Sequence, residues 1–300
     1  MSEPVSPRLE NTRPGRERWN IAGPGLIIVG SLLLLVSVGC FVVHNRNNRY
    51  LMRATAFIFD GPGDDETKAK ELAHFVALHA AEIVNPDSAS MVAKFEHHLP
   101  FEVSPATVLA EGFAFPDAHR FGPCGQLSRT IRAVACLHHI PSHKVLMGRG
   151  SNEHAMVALY VNGAYRLFDP TYDFYWTDST GHVASVDLVR SDTAIFAQVY
   201  RKVPDYKFSL KDATYFRWAR LGRLGKWIKS ALTLVMGEVW VENIDTPQLY
   251  ERPWWGYAWA SLIVAVVCLS LGLARTRHVA YRSSRPVTEV GPPPRRVAAM

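Results

Sequence analysis

Cysteine is scarce in this chain, with four residues among 300. That excludes a small disulfide-stapled scaffold. Cys40 and Cys268 fall inside long uncharged stretches, while Cys124 and Cys136 lie on one predicted helix, about 18 Å apart at the usual rise. A disulfide needs Cα atoms within about 7 Å, so this second pair stays reduced while the helix is intact. A free thiol outside the membrane needs a reason, and catalysis is one; Cys136 points away from the Cys124 stripe and is expected to be a buried core residue. Phosphate-binding glycine loops and the dinucleotide fingerprint are missing as well. His97-His98, His138-His139 and His143 lack metal-ligand spacing, so neither a metal nor another cofactor is expected. The net charge of +6 sits in the tails: residues 1–20 carry +1 and residues 275–300 carry +5. The remainder is neutral, which leaves no basic stripe for nucleic acid.

Charge is also absent from two long apolar stretches, 21–43 and 254–274. Each is long enough to cross a bilayer. The second opens with Trp254, Trp255, Tyr257 and Trp259, an interfacial aromatic cluster. The expected organisation is a basic N-terminus (1–20), a transmembrane helix (21–43), a main domain (44–253), a second transmembrane helix (254–274) and a basic, unstructured tail (275–300). Arg275, Arg277, Arg282, Arg285, Arg295 and Arg296 follow the second stretch. The positive-inside rule then puts both termini in the cytoplasm and the main domain in the periplasm or outside the cell.

Within the main domain, 65–84 is predicted to be an amphipathic helix with Leu72, Phe75, Val76, Leu78 and Ile83 as its apolar set. A weaker helix is expected over 88–97, a strand over 143–147 and a helix over 186–200. Gly125 to His139 also reads as a helix, with Leu127, Ile131, Val134 and Ala135 recurring on one stripe that includes Cys124. Phe121-Gly122-Pro123 reads as the loop before it. The expected fold class is α+β, with helices gathered against one antiparallel sheet.

Asn162-Gly163, between two apolar and β-branched runs, is the strongest short-range sign of a two-residue hairpin turn. Val161 then pairs with Ala164, and continuing outward sets Asp169 opposite Met156. Side chains alternate faces, so His154, Met156 and Asp169 share one face, and His154 and Asp169 become diagonal neighbours. Cys124 opens its helix, where the positive end of the dipole favours thiolate. Gly122 and Gly125 leave room for a substrate to approach. Cys124 as nucleophile, His154 as base and Asp169 as its orienting carboxylate form the candidate catalytic set.

The stretches GPCGQLSRTIRAVACLHHIPSHKVLM and NEHAMVALYVNGAYRLFDPTY resemble the transglutaminase-like core, which has a papain-like Cys-His-Asp arrangement. The likeness covers residues 122–172. It rests on Cys124 at a helix start, Ile140 to Val145 entering a strand, His154 opening the next strand, and Asp169-Pro170-Thr171 closing the one after. The resemblance implies a helix bearing the cysteine packed on an antiparallel sheet. It also implies acyl transfer or amide hydrolysis through a Cys124 thioester, acting on a peptide, protein or other amide or ester. Ala155 and Met156 stand where relatives often carry a Trp after the histidine. A rival reading is therefore a catalytically silent module that binds partners in envelope or polysaccharide assembly. An arylamine-type acyltransferase is a further alternative, although its Arg-Gly-Gly-x-Cys signature is absent.

Residues 217–240 form one more predicted helix. Leu221, Leu224, Ile228, Ala231, Leu232 and Val235 share a face, with Arg220, Arg223, Lys226 and Lys229 on the rest and Trp227 near the border. Such a helix either packs on the core with a solvated basic side or lies in a lipid bilayer interface; periodicity alone does not separate the two.

Overall fold

The computed structural model describes residues 18–80, 90–98, 103–114, 124–148, 153–238, 241, 244–245 and 252–283. The chain divides into two compact units, residues 1–40 with 257–300, and residues 41–256. Helix α1 (Arg18–Phe59) runs through the division without a break, well past Val43, so residues 44–59 are helical too.

The first unit holds the apolar part of α1 and most of the last helix, α10 (Pro253–Ser283). Both helices are long and apolar enough to span a membrane. Their contact is made by small residues: a Cβ on Gly30 would lie 2.7 Å from Leu269 Cγ, and one on Gly272 would lie 2.8 Å from Ile27 Cγ1. Ser37 Oγ donates to the carbonyl of Ala258 at 2.8 Å. The large side chains face outward instead, with Ile28, Leu32, Leu35, Val264 and Val267 exposed. Small residues inside and large apolar residues outside is the pattern of helices that pack in lipid.

The second unit mixes helix and sheet. Its sheet is a meander of four antiparallel strands, β1 (Ser142–Met147), β2 (His154–Val161), β3 (Ala164–Asp169) and β4 (Phe174–Tyr175), in the order β1-β2-β3-β4. The β2–β3 turn has Asn162 at φ 50° and Gly163 at φ 77°, the left-handed pair that a type I′ hairpin requires. Val161 pairs with Ala164 and Val157 with Phe168, which is the register expected from the turn.

Both sheet faces are covered. On one face, Val157, Leu159, Val161 and Phe168 pack with α2 (Asp65–His79), α4 (Pro105–Ala114) and α5 (Cys124–Leu137). On the other, Val145, Met147, Met156, Ala158 and Leu167 pack with Trp176, Val199, Tyr206 and the helices after the sheet. α5 is the central helix: Leu127 to Ala135 are all buried, including Arg129, whose guanidinium donates to the carbonyl of Val103. Helix α3 (Met91–His97) is capped by Ser90, and its Glu96 accepts from the Ser104 N–H and the Trp254 indole.

Several expectations need correction. Leu78 is 62% exposed, because it sits about 200° around the helix from Val76, away from the buried Ala69, Leu72 and Val76. α2 ends at His79, and Ile83 lies outside the described residues, as do Ser88 and the loop 121–123. The helix expected over 186–200 is three short ones: α6 (Val186–Ser191), α7 (Thr193–Phe196) and α8 (Val199–Lys202). Asp192 divides the first two by turning its carboxylate onto the N–H groups of Ala194 and Ile195, which competes with continuation of the helix. Cys136 is half-buried. Helix α4 and strand β4 were not anticipated; β4 is two residues long and has no periodicity to read.

Candidate functional site

Strand β2 begins at His154, and β3 ends at Asp169. Their shared face brings His154 Nε2 to 2.7 Å from Asp169 Oδ2, with both side chains buried. The carboxylate is fully satisfied. Tyr206 donates its hydroxyl to the same oxygen at 3.0 Å, and the Thr171 N–H donates to Oδ1 at 3.2 Å. A buried charge is tolerable only with such partners. The Asp-Pro turn and the His154 pairing therefore use different oxygens of one group.

The imidazole is held by aromatic rings as well. Phe208 stacks on it, with centroids 4.4 Å apart and planes 18° apart, while Tyr172 and Tyr206 approach from the sides. With Nε2 turned to Asp169, Nδ1 is the nitrogen left for another partner.

That partner is Cys124, the first residue of α5, and it is half-buried. α5 packs on the opposite sheet face from His154, so thiol and imidazole meet around the end of β2. Ser128 Oγ anchors the helix there by donating to the Ala155 carbonyl at 3.0 Å. Burial by itself pushes the thiol up. A hydrogen bond with His154, the charge of that ring, the Ala155 N–H and the Lys144 ammonium outweigh it and hold the thiol below its ordinary value. Burial also works against a charged His154. The Asp169 charge and hydrogen bond, followed by Cys124, overcome it and push the imidazole up to about 9. Both shifts favour a thiolate–imidazolium pair at neutral pH. The Tyr206 hydroxyl is driven upward by burial and by Asp169, so it stays protonated and remains a donor.

The three sequence-selected residues, Cys124, His154 and Asp169, thus come together. Sequence reasoning did not find Tyr206, Phe208 or Lys144. Tyr206 and Phe208 lie in irregular chain after α8, where no local pattern marks them. Lys144 occupies an inward strand position paired with Val157, is 6% exposed, and reaches the Gly125 carbonyl at 3.4 Å. A lysine inside an apolar alternation was the available signal.

Replacing Tyr206 with Phe is expected to lower stability by about 1.5–3 kcal/mol, the usual cost of losing a hydrogen bond to a charged group. The Phe208 stack remains, so Cys124 alkylation should persist. Thermal unfolding and alkylation of the same sample read both effects, and a variant as stable as the parent would show that the 3.0 Å bond contributes nothing.

Among the described residues, no group of three or more His, Cys, Asp and Glu side chains is placed to hold a metal ion. No family model, curated protein or solved structure matches this chain.

Proposed function

We propose that this protein is a membrane-anchored thiol enzyme of transglutaminase-like type, which transfers or hydrolyses acyl groups through a thioester on Cys124. The observation that carries the reading is the 2.7 Å His154–Asp169 bond behind a half-buried thiol at a helix N-terminus. In this reading the Cys124 thiolate attacks an amide or ester carbonyl. The Cys124 N–H, at the helix start, is one donor for the oxyanion. As the tetrahedral intermediate collapses, the C–N or C–O bond breaks, and His154 gives its proton to the leaving amine or alcohol. The neutral imidazole then takes a proton from water or from an acceptor amine, which attacks the thioester. The acyl product leaves, and thiolate and imidazolium are restored. Asp169 keeps its hydrogen bond to the ring and fixes the ring orientation throughout.

The two apolar helices anchor the enzyme, and the arginines after Ala274 hold the tail in the cytoplasm. The domain then works on the extracytoplasmic side, on a peptide, protein or other amide or ester. Water as acceptor is favoured, since no amine-binding feature was found in the sequence.

The test is acyl-enzyme trapping. The full chain, in detergent, is incubated with an activated acyl ester, quenched in acid and weighed. A hydroxylamine-sensitive adduct on the Cys124 peptide, absent in Cys124→Ala, is expected. Turnover of an acyl substrate that survives Cys124→Ala would exclude the mechanism. In the binding-module alternative, no donor acylates Cys124, and the alanine variant supports normal cell-envelope function.

A further inference from the structure

Residues 217–240 contain a one-turn 3₁₀ segment (Trp218–Leu221) followed by α9 (Gly222–Met236). Gly222 at φ 57° divides them. α9 packs chiefly on that turn, and Gly225 lets the two backbones touch; a Cβ there would clash with the Trp218 carbonyl oxygen. Gly225 is the buried residue of the helix. The apolar face is not spent on the domain core. Leu224 is 62% exposed, Trp227 71%, Val235 82% and Leu234 88%, while Ile228 and Leu232 are half covered. Of the two sequence readings, packing on the core is therefore the one the structure does not show.

Five exposed large side chains on one 15-residue helix, Met236 at 44% included, make an uncommon surface for water. Two observations name what covers it. The first is charge. Arg223, Lys226 and Lys229 lie together on the arc opposite Leu224 and Val235, with Trp227 and Leu234 between that arc and the apolar face, and the helix contains no acidic residue. With Trp227 at the border, this is the layout of a helix lying in the plane of an anionic lipid interface, with side chains of Lys and Arg reaching up to headgroup phosphates. The second is the tether. Sixteen residues separate Met236 from Pro253, the start of the second apolar helix, so extended chain reaches at most about 55 Å. The Trp254 indole in that helix's first turn is fastened to Glu96 of α3 at 2.7 Å. α9 is therefore kept at high local concentration near any bilayer that the second helix enters.

The geometry points to α9 as an in-plane membrane helix that docks on anionic phospholipid. Its apolar side, Leu224 and Val235 with Trp227 and Leu234 at the border, enters the acyl boundary, and Arg223, Lys226 and Lys229 bind the phosphates. The helix gives the enzyme a third membrane contact, independent of the two spanning helices and of the thiol chemistry. It selects lipid by charge, which the spans do not.

The test uses the full chain reconstituted in phosphatidylcholine vesicles and in vesicles with 30% phosphatidylglycerol, each prepared with brominated acyl chains. Subtracting the signal of Trp227→Phe isolates the quenching of Trp227 from that of the other tryptophans. Quenching of Trp227 in the anionic vesicles is expected. It should be lost in neutral vesicles, at 1 M salt, and in the triple variant Arg223→Glu, Lys226→Glu, Lys229→Glu. No Trp227 quenching in anionic vesicles would overturn the proposal. Equal quenching in both lipid compositions would overturn it too, because the basic arc would then select nothing. A Val235→Cys variant that cross-links between copies without Trp227 quenching would show that a second copy covers the face instead. Acyl-enzyme formation on Cys124 is a separate readout, so failure here leaves the thiol mechanism standing.

Discussion

Replacing His154 with alanine is expected to slow alkylation of Cys124 at pH 7 by roughly 10- to 100-fold. In the parent, the imidazolium overcomes the burial that would otherwise keep the thiol protonated. Without it, only the Ala155 N–H and the Lys144 ammonium oppose burial, and the thiol rises toward its ordinary value of 9.0. At pH 7 only about 1% of such a thiol is ionised. The low-pKa thiolate of the parent is intrinsically a weaker nucleophile, which recovers part of that factor and sets the lower bound. Iodoacetamide labelling of the full chain, read by mass spectrometry across pH 5 to 10, measures this directly. The Cys136 peptide reports general accessibility in the same digest. The parent should label at Cys124 at lower pH than the variant does. Equal rates at pH 7 would mean that His154 does not activate the thiol, and the proposed mechanism would fall with it.

Asp169→Ala is expected to destabilise the protein by about 3–5 kcal/mol at pH 6, the cost of removing one partner from a buried pair. The aspartate is fully buried and serves His154, Tyr206 and the Thr171 N–H at once. Its loss leaves three donors in an apolar site and an imidazole without its counter-charge. The pH dependence has a definite sign. His154 is raised from 6.5 to about 9, so its pairing contributes fully below pH 6.5 and is lost as pH rises through 9. The gap between parent and variant should therefore narrow between pH 6 and pH 10. Thermal unfolding at both values checks it, and a gap that is constant or widens would contradict the ion-pair account. Asp169→Asn keeps the volume and the ability to accept hydrogen bonds. It should fold better than the alanine variant, yet it should still lower the fraction of charged His154 and slow Cys124 alkylation at pH 7.

Much of the site was legible because it is built from short-range rules. Asn162-Gly163 can take two positive φ values in succession, and that sets the β2–β3 register. Register sets parity, and parity puts His154 and Asp169 on one face. Cys124 opens α5 because the apolar spacing from Leu127 onward is helical. The two apolar helices were readable from the length of uncharged chain, and a mixed helical and antiparallel architecture followed from the alternation of patterns.

What tertiary structure alone decided is of longer range. Tyr206 reaches Asp169 across 37 positions from irregular chain, and Phe208 reaches the His154 ring from the same stretch. No periodic signal marks a residue in a loop; only the packing of that loop over the second sheet face brings it to the carboxylate. Covering both faces also buries nearly all of β2, which removes the polar alternation that would have revealed the second layer. Periodicity gave α9 an apolar face but not what lies against it, since a protein core and a lipid interface ask the same spacing of a helix. Sequence by itself determined which residues share a face and where the chain turns, because backbone sterics and 2.0- and 3.6-residue periods act locally. Which faces meet, which donors satisfy a buried charge and which face stays bare depended on the whole chain closing around the sheet.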